Sequence, residues 1–151
     1  MNLSSPTWHL VFRGSDPTGN GWFGASRGSR KHKGVDIVVV PGEDIFAMMS
    51  GTVTKLGYVY SNPKQGKPVM RFVEIQNTIE GDSYKLWQMY VSPSVEKGQE
   101  IEQNQIIGKA QDIADYHKSE DDEHEMKNHV HVQLWKNGVL VDPEPLIKKM
   151  V

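Results

Sequence analysis

Asn128-His129-Val130-His131-Val132-Gln133-Leu134-Trp135 alternates polar and apolar residues, and its apolar positions include β-branched valines. This pattern predicts a half-buried β-strand, in which residues two apart share a face. His129 and His131 are therefore expected on one face, and the aliphatic residues between them on the other, against a core. Two neighbouring imidazoles can bind a metal ion or divide metal binding and proton transfer between them. A half-exposed strand whose histidines have no chemical role is the alternative.

A second motif lies well before this strand, in His32-Lys33-Gly34-Val35-Asp36, which runs into Ile37-Val38-Val39-Val40. Gly34 and the β-branched run favour a loop that enters a strand over a helix. The glycine is expected to let the backbone curl so that His32 and Asp36 reach one point. An imidazole nitrogen and a carboxylate oxygen suit zinc. A hydrogen bond between His32 and Asp36 would explain the pair equally well.

Composition limits the classes of protein that fit. A chain of 151 residues without repeats or a linker predicts a single domain over residues 1–151. A net charge of -2 and a pI near 6.3 give no bulk attraction to nucleic acid or to acidic membranes. Because the chain has no cysteine, any metal ion must be held by His, Asp or Glu.

Targeting signals are not evident in the sequence. No apolar segment approaches the length of a membrane span, so no membrane partner is expected. The N-terminus, Met1-Asn2-Leu3-Ser4-Ser5-Pro6, lacks the basic start and apolar segment of a secretory signal peptide. The protein is therefore expected to stay in the cytoplasm or to leave the cell by another route.

The rest of the chain alternates short apolar runs with turn residues, which predicts an all-β sandwich or barrel. Strands are predicted at residues 8–13, 45–48, 51–60, 69–77 and 84–91. One short helix is predicted within 111–118, and a turn followed by a short closing helix within 141–150. The polar segment 117–127 is predicted to be a solvated loop, with a place beside the site as the alternative, because it leads directly into His129.

Three residues together offer a metal site. His32, Asp36 and His131 would supply nitrogen, oxygen and nitrogen ligands to a tetrahedral Zn²⁺ and leave the fourth position to water, as catalytic zinc sites do. Zinc can lower the pKa of such a water to about 7. His129, on the same strand face as His131, is placed to take a proton from this water or to deliver one to a leaving amine. These steps amount to the hydrolysis of a peptide bond.

The sequence resembles the zinc metallopeptidases of the M23, or lysostaphin-like, family, which cleave peptide cross-links in bacterial cell walls. The resemblance covers roughly residues 20–147. Its motifs, in the family's order, are Arg30-Lys31-His32-Lys33-Gly34-Val35-Asp36-Ile37, Pro41-Gly42, Ser50-Gly51, Lys97-Gly98-Gln99, Gln105-Ile106-Ile107-Gly108, His129-Val130-His131, Asn137-Gly138 and Asp142-Pro143.

This resemblance implies a mostly antiparallel β-sheet or sandwich with long loops, one or two short helices and a groove that holds zinc. It implies His32, Asp36 and His131 as the zinc ligands and His129 as the general base. The implied function is that of a zinc metalloendopeptidase, with the peptides of peptidoglycan cross-links as its substrates.

One departure from the family pattern affects catalysis. The family usually has a further histidine in a Tyr-x-His-Leu stretch, which stabilises the oxyanion or orients other groups, and Met89 occupies that place here. Loss of one oxyanion donor typically costs about a hundred- to a thousand-fold in rate. Tyr90, which is included among the predicted catalytic residues, or Gln88 would substitute as the donor. His117 and His124, from the polar segment, are the other candidates.

In this departure the chain is similar to the leukocyte-derived chemotaxin branch of this fold, which also has an aromatic-Tyr segment followed by a His-Val-His strand. Proteins of that branch keep zinc and act as binding proteins. A zinc-binding recognition module with weak or no catalytic activity is therefore the second hypothesis. A biotinyl- or lipoyl-type carrier is disfavoured, because its candidate attachment residue, Lys127, follows the glycine-rich turns instead of preceding them. For a cell-wall enzyme without an export signal, we expect a phage virion, a lysis protein or a larger phage or cell-envelope assembly.

Overall fold

The computed structural model describes residues 1–16, 19–27, 30–118 and 126–148. Within these ranges strands predominate, and every strand pairing is antiparallel except that of the first strand with the last. The strands are β1 Leu3–Ser4, β2 Ser15–Asp16, β3 Gly19–Asn20, β4 Ser26–Arg27, β5 Arg30–Lys31, β6 Val35–Val38, β7 Asp44–Phe46, β8 Gly51–Tyr58, β9 Arg71–Ile79, β10 Asp82–Met89, β11 Val91–Pro93, β12 Glu100–Ile101, β13 Ile106–Ala110, β14 His129–Lys136, β15 Val139–Val141 and β16 Ile147–Lys148. The helix α1 covers Ile113–His117, and one turn of 3₁₀ helix covers Glu144–Leu146.

The main sheet has seven strands, in the order β12-β8-β9-β10-β14-β15, with β6 as an additional partner of β14. One edge of β14 pairs with β10 along nearly its whole length. The other edge is shared, because β6 pairs with residues 129–132 and β15 with residues 134–136. Since β14 has partners on both edges, it is an interior strand, and six of its eight residues are buried.

The core lies on one face of this sheet. Val130, Val132 and Leu134 of β14 are wholly buried in a cluster of aliphatic residues. Residues from the smaller sheet, whose order is β11-β13-β7, join the same cluster. Because strand side chains alternate, the histidines of β14 point to the opposite face of the main sheet. The predicted all-β, mostly antiparallel fold is confirmed.

The strand predicted at residues 8–13 is wrong. Those residues contribute only an isolated bridge between Phe12 and Ile37, and the Trp8 side chain is 58% exposed. Local hydrogen bonds accompany bends at residues 6–9: the Ser5 hydroxyl donates to the carbonyl of Thr7, and the Thr7 hydroxyl donates to that of His9. Such side-chain bonds to nearby backbone compete with a strand ladder.

The helical predictions hold in shortened form. The helix predicted within 111–118 is α1, and Asp112 caps its N-terminus by accepting a hydrogen bond from the backbone N–H of Asp115. The closing helix is the single 3₁₀ turn. Residues 119–125 of the polar segment, with His124, lie outside the described residues. None of the helices in the described ranges has the length and apolar character needed to cross a bilayer.

Candidate metal centre

Two strands and the turn before one of them bring together the three predicted metal ligands. Asp36 on β6 pairs directly with His131 on β14, and His32 lies just before β6. Asp36 Oδ1 is 2.7 Å from His131 Nδ1 and 3.2 Å from His32 Nε2. The two imidazole nitrogens are 2.9 Å apart. One potential ligand atom from each residue thus lies within 4.8 Å of the other two.

Gly34 allows this convergence for a reason other than the predicted one. It does not have a positive φ. Instead, a Cβ atom at this position would lie 2.0 Å from the backbone oxygen of Val132 and 3.0 Å from His131 Nε2. The close approach of the chain before β6 to β14 therefore requires glycine, and side-chain bulk would push the two strands apart.

In each of the two candidate ligand imidazoles, the ring nitrogen that faces away from Asp36 is held by a hydrogen bond. His32 Nδ1 lies 2.9 Å from the carbonyl oxygen of Trp22, and His131 Nε2 lies 2.9 Å from Gln133 Oε1. A ring nitrogen that donates to such an acceptor carries the proton, which leaves the other nitrogen free as a metal ligand. The two free nitrogens are the ones that face Asp36, so the donor set fits zinc. Strand alternation would have revealed Gln133, since it shares the face of His131.

Arg13 pairs with the carboxylate of the same site. Its Nη1 lies 2.9 Å from Asp36 Oδ2, and the side chains of Arg13 and Asp36 are only 4% and 2% exposed. Burial by itself would raise the pKa of Asp36, but the polar contacts of its carboxylate with His131 and His32 and the proximity of His129 hold that pKa well below its ordinary range. Asp36 is therefore ionised. No sequence motif pointed to Arg13.

His129 stands beside the three candidate ligands. Its Nδ1 lies 2.8 Å from the carbonyl oxygen of Lys127, which leaves Nε2 unprotonated and 3.5 Å from Asp36 Oδ2. Burial lowers the pKa of His129 below its ordinary value, although the Asp36 charge opposes this shift. At neutral pH the imidazole is neutral, and it can accept a proton at Nε2.

Tyr90 follows β10 and also reaches the site. Its φ of 68° lies in the left-handed region, which ends β10 at Met89 and sends the chain into the smaller sheet. The Tyr90 ring meets that of His129 edge-on, with centroids 5.7 Å apart. Burial raises the pKa of Tyr90 well above its ordinary value, so its hydroxyl stays protonated.

The neighbours of Tyr90 have different roles. Met89 pairs directly with His131 and so lies on the face of the site, but a thioether transfers no proton. Gln88 points into the core: it is wholly buried, accepts a hydrogen bond from the Met48 N–H and donates one to the Phe46 carbonyl. Gln88 therefore does not reach the site.

A cavity of about 190 Å³ opens over the site. Its wall includes the four site residues described above together with Arg13, Tyr90 and His117. His117, at the end of α1, is held by a hydrogen bond of 3.0 Å between its Nε2 and the Tyr60 hydroxyl. Burial lowers the pKa of His117. The polar segment thus contributes one described histidine to the cavity.

Known proteins share this sequence pattern and this fold. The profile of peptidase family M23 matches residues 30–143, a range that contains all five predicted site residues. Stage II sporulation protein Q of Bacillus subtilis (strain 168) is 33% identical over 121 residues, which are 79% of this chain and 37% of that protein. The chain therefore spans little more than a third of the length of this curated relative.

Two solved structures show the same architecture. Helicobacter pylori Csd3 superposes with a TM-score of 0.63 at 22% identity, over 99% of this chain and 34% of Csd3. The catalytic domain of the antimicrobial peptidase lysostaphin from Staphylococcus simulans gives a TM-score of 0.56 at 22% identity, over 84% of this chain and 88% of that domain. At these identities the likeness establishes the fold. With the match over residues 30–143, the resemblance inferred from the sequence is confirmed: the chain belongs to peptidase family M23.

Proposed function

We propose that this protein is a zinc metalloendopeptidase that hydrolyses peptide bonds of bacterial peptidoglycan cross-links. One observation carries the proposal: two imidazoles and a carboxylate converge within 4.8 Å of one another, with a neutral His129 beside them on the wall of a cavity. Membership of a peptidase family agrees with this chemistry.

The residues divide the chemical work. His32 through Nε2, Asp36 through Oδ1 and His131 through Nδ1 would hold the ion. Zinc bound there supplies a Lewis acid that polarises a carbonyl and makes hydroxide available near neutral pH. His129 Nε2 accepts the proton that the attacking water loses and then donates it to the departing amine. The C–N bond breaks, and the elements of water are divided between the two products.

Tyr90 is the proposed second catalytic group. Its position on the cavity wall beside His129, and a pKa that keeps its hydroxyl protonated, support a role as a hydrogen-bond donor. A donor aimed at the carbonyl oxygen stabilises the negative charge that develops there in the transition state.

Zymography on purified cell walls, with and without a chelator, tests the proposal. We expect clearing by the wild-type protein that a chelator abolishes. His131→Ala should lose stoichiometric zinc, whereas His129→Ala should keep zinc and lose clearing. Unchanged zinc content in His131→Ala would show that the ligand assignment is wrong, and a zinc-loaded wild-type protein that clears nothing would contradict the peptidase proposal.

Met89 favours a second candidate function, that of a zinc-binding recognition module with weak or no catalysis. A side chain that cannot transfer a proton lies directly opposite His131. In addition, the curated relative is named for sporulation and not for hydrolysis. Retention of zinc without clearing of cell walls would support this module.

For its place of action we propose a phage virion, a lysis protein or a larger phage or cell-envelope assembly. The proposal rests on the cell-wall substrate alone. Mass spectrometry of purified virions of a phage that encodes this chain tests the first possibility, and absence of its peptides from intact particles would contradict a virion component.

A further inference from the structure

The sheet face that carries the candidate metal centre continues along β14 and β10. Gln133 and Trp135 follow His131 at alternating positions of β14 and therefore share its face. On β10, Trp87 pairs with Gln133 and Lys85 pairs with Trp135. The metal site is thus one end of a longer surface.

The same face extends across β9 and β8. Phe72 pairs with Met89, Glu74 pairs with Trp87, and Lys55 on β8 pairs with Glu74. Three rings and two ammonium groups therefore form a continuous patch. We call this patch the aromatic–lysine row: Lys55, Phe72, Lys85, Trp87 and Trp135.

Ring packing fixes the row in place. Phe72 and Trp87 are stacked with centroids 4.3 Å apart, and Trp87 meets Trp135 at 65° with centroids 4.8 Å apart. The Phe72 ring also lies directly over Gly57, where a Cβ atom would come within 2.1 Å of it. A surface built in this way is rigid before any ligand arrives, which lowers the entropic cost of binding.

The two lysines cover these rings. The Lys85 ammonium lies 4.5 Å from the centroid of Trp135 and 5.9 Å from that of Trp87. The Lys55 ammonium lies 5.7 Å from the centroid of Phe72. A ring face that an ammonium covers is not available for stacking on a sugar. The row therefore presents positioned cations.

Glu74, the carboxylate within this patch, is engaged by neutral donors. It accepts hydrogen bonds from Trp87 Nε1 at 2.6 Å, Thr54 Oγ1 at 2.8 Å and Gln76 Nε2 at 3.1 Å. The Lys85 charge lowers the pKa of Glu74 from a distance, without a hydrogen bond between the two side chains. In the described part of the chain, neither Lys55 nor Lys85 has a carboxylate oxygen within 4.0 Å of its ammonium. Both charges are held in position without an ion-pair partner there.

We propose that the aromatic–lysine row binds a carboxylate of the peptide substrate, about two to four residues from the bond that is cleaved. Trp87 pairs with Gln133, which is two residues after His131 on β14, and Trp135 is four residues after His131. At a rise of about 3.3 Å per residue, these positions lie roughly 7 and 13 Å along the strand. An extended peptide held over β14 advances at the same rate. The inference rests on the proposed function and identifies its substrate as an acidic peptide, not a neutral one.

Isothermal titration calorimetry on the zinc-loaded His129→Ala protein tests whether the row binds a peptide carboxylate. This variant is used because it should bind the peptide without hydrolysing it during the measurement. The probes are a synthetic stem tetrapeptide that carries the free carboxylate of its D-glutamate and the same peptide with that carboxylate amidated. We expect amidation to weaken binding about three- to fivefold, the range of one partly exposed ion pair. The difference should disappear at about 0.5 M salt, which screens such a pair.

Lys85→Met is the informative variant, because it keeps an unbranched apolar chain against both indoles and removes the charge. It should lose most of the preference for the free carboxylate, and Lys55→Met/Lys85→Met should lose all of it. Lys136→Met is the matched control. This lysine lies on the opposite face of β14, 3.7 Å from Asp82, and its loss should leave the preference unchanged.

Three outcomes would overturn the inference: equal affinity for the two peptides, no binding of either peptide, or a preference that survives in the double variant. A second measurement, hydrolysis of the two peptides by the protein that retains His129, separates this inference from the proposed function. Equal cleavage and equal affinity for both peptides would refute the inference and leave the peptidase standing. A preference for the acidic peptide without cleavage of either would refute the peptidase and support acidic-peptide recognition by the row.

Discussion

The Arg13 guanidinium places a permanent positive charge beside the candidate metal centre. It holds Asp36 Oδ2, while Oδ1 of the same carboxylate faces the imidazoles. A buried carboxylate without a partner would be costly, because burial removes its hydration. Arg13 therefore balances the charge of Asp36 when the site is free of metal, and its contact with Oδ2 leaves Oδ1 as the oxygen that would face a metal ion.

Arg13→Met should destabilise the metal-free protein by about 3 kcal/mol, the lower end for breaking a buried ion pair. The loss should be smaller with zinc, because the ion then compensates the charge of Asp36. Chemical denaturation with chelator and with excess zinc measures both free energies of unfolding. Lys109→Met, which removes the exposed partner of Asp44, is the control and should change either value by less than about 1 kcal/mol. Equal losses in the two conditions would contradict this role for Arg13.

At the scale of single residues, the site residues that could be predicted from the sequence are those related by short-range spacing. Strand alternation placed His129 and His131 on one face, and the short spacing of His32 and Asp36 made them a pair. Arg13 and the Trp22 carbonyl depend on the approach of distant segments, which no spacing encodes. The left-handed backbone of Tyr90 was equally invisible, since that conformation is uncommon outside glycine.

At the scale of elements, the pairing of β6 with β14 builds the site. This pairing sets Asp36 opposite His131, and it brings the backbone before β6 against the Val132 carbonyl at Gly34. The distance between the ligands therefore depends on how closely two backbones approach, and one methyl group is enough to change it.

Gly34→Ala should weaken zinc binding about ten- to a hundredfold, the range for disturbing the support of metal ligands. The added Cβ would meet a backbone oxygen, which cannot rotate away as a side chain would. Competition with a chromophoric chelator measures the affinity. Lys33→Ala, at the exposed neighbouring position, should bind zinc as the wild type does. Wild-type affinity in Gly34→Ala would show that the strands can separate without moving the ligands.

Glu74 links the stability of the aromatic–lysine row to pH. Burial by itself would raise the pKa of Glu74, but hydrogen bonds from Trp87, Thr54 and Gln76 lower it below its ordinary value. A carboxyl group whose pKa is lower in the folded state stabilises the fold above its unfolded-state pKa. That contribution is lost as the pH falls through the folded-state pKa.

Glu74→Gln should therefore be less stable than the wild type at pH 7, and the difference should shrink towards about pH 3.5. Urea denaturation at the two pH values measures it. Trp87→Phe removes one donor to the carboxylate and keeps an aromatic ring, so it should reduce the pH dependence without abolishing it. A stability difference that stays constant between the two pH values would contradict this account.

The predicted elements match the observed ones where alternation is long. The strands predicted at 51–60 and 69–77 correspond to β8 Gly51–Tyr58 and β9 Arg71–Ile79. The strand predicted at 84–91 divides at Tyr90, because a positive φ interrupts the ladder there. The segment 8–13 has strand-forming residues, but the Thr7 hydroxyl holds the His9 carbonyl, and only Val11 and Arg13 form backbone hydrogen bonds with β6, around the Phe12–Ile37 bridge.

At the scale of the molecule, the core and the candidate metal centre lie on opposite faces of the main sheet. The aliphatic cluster is complete without any residue of the site. Apolar burial supplies most of the driving force for folding. The metal ion is therefore expected to add to the stability of a fold that forms without it.

Zinc at about a hundred times its dissociation constant should raise the free energy of unfolding by about 2.7 kcal/mol, which corresponds to a rise in Tm of about 5–10 °C. Differential scanning calorimetry with zinc and with chelator measures the shift. His131→Ala should show no shift. Far-ultraviolet circular dichroism should report the same β-sheet content in both conditions, and unfolding at 25 °C on chelation would contradict an independent core.

The fold class followed from the sequence because alternation and turn residues recur along most of the chain. The arrangement of the strands did not, since it depends on pairings such as β6 with β14 that join segments far apart. The single domain over residues 1–151 and the place of action stay predictions.

The shared edges of β14 have a consequence for how this scaffold changes over time. With neighbours on both sides, the strand is held in one register, and a shift of its pairing by one residue would turn the imidazoles into the core and the valines into the cavity. An insertion or deletion inside β14 would therefore disrupt the site, whereas an exchange of side chains on its exposed face would not change the register. Position 135 is where a protein engineer would begin, because the Gln133 side chain is needed to orient His131.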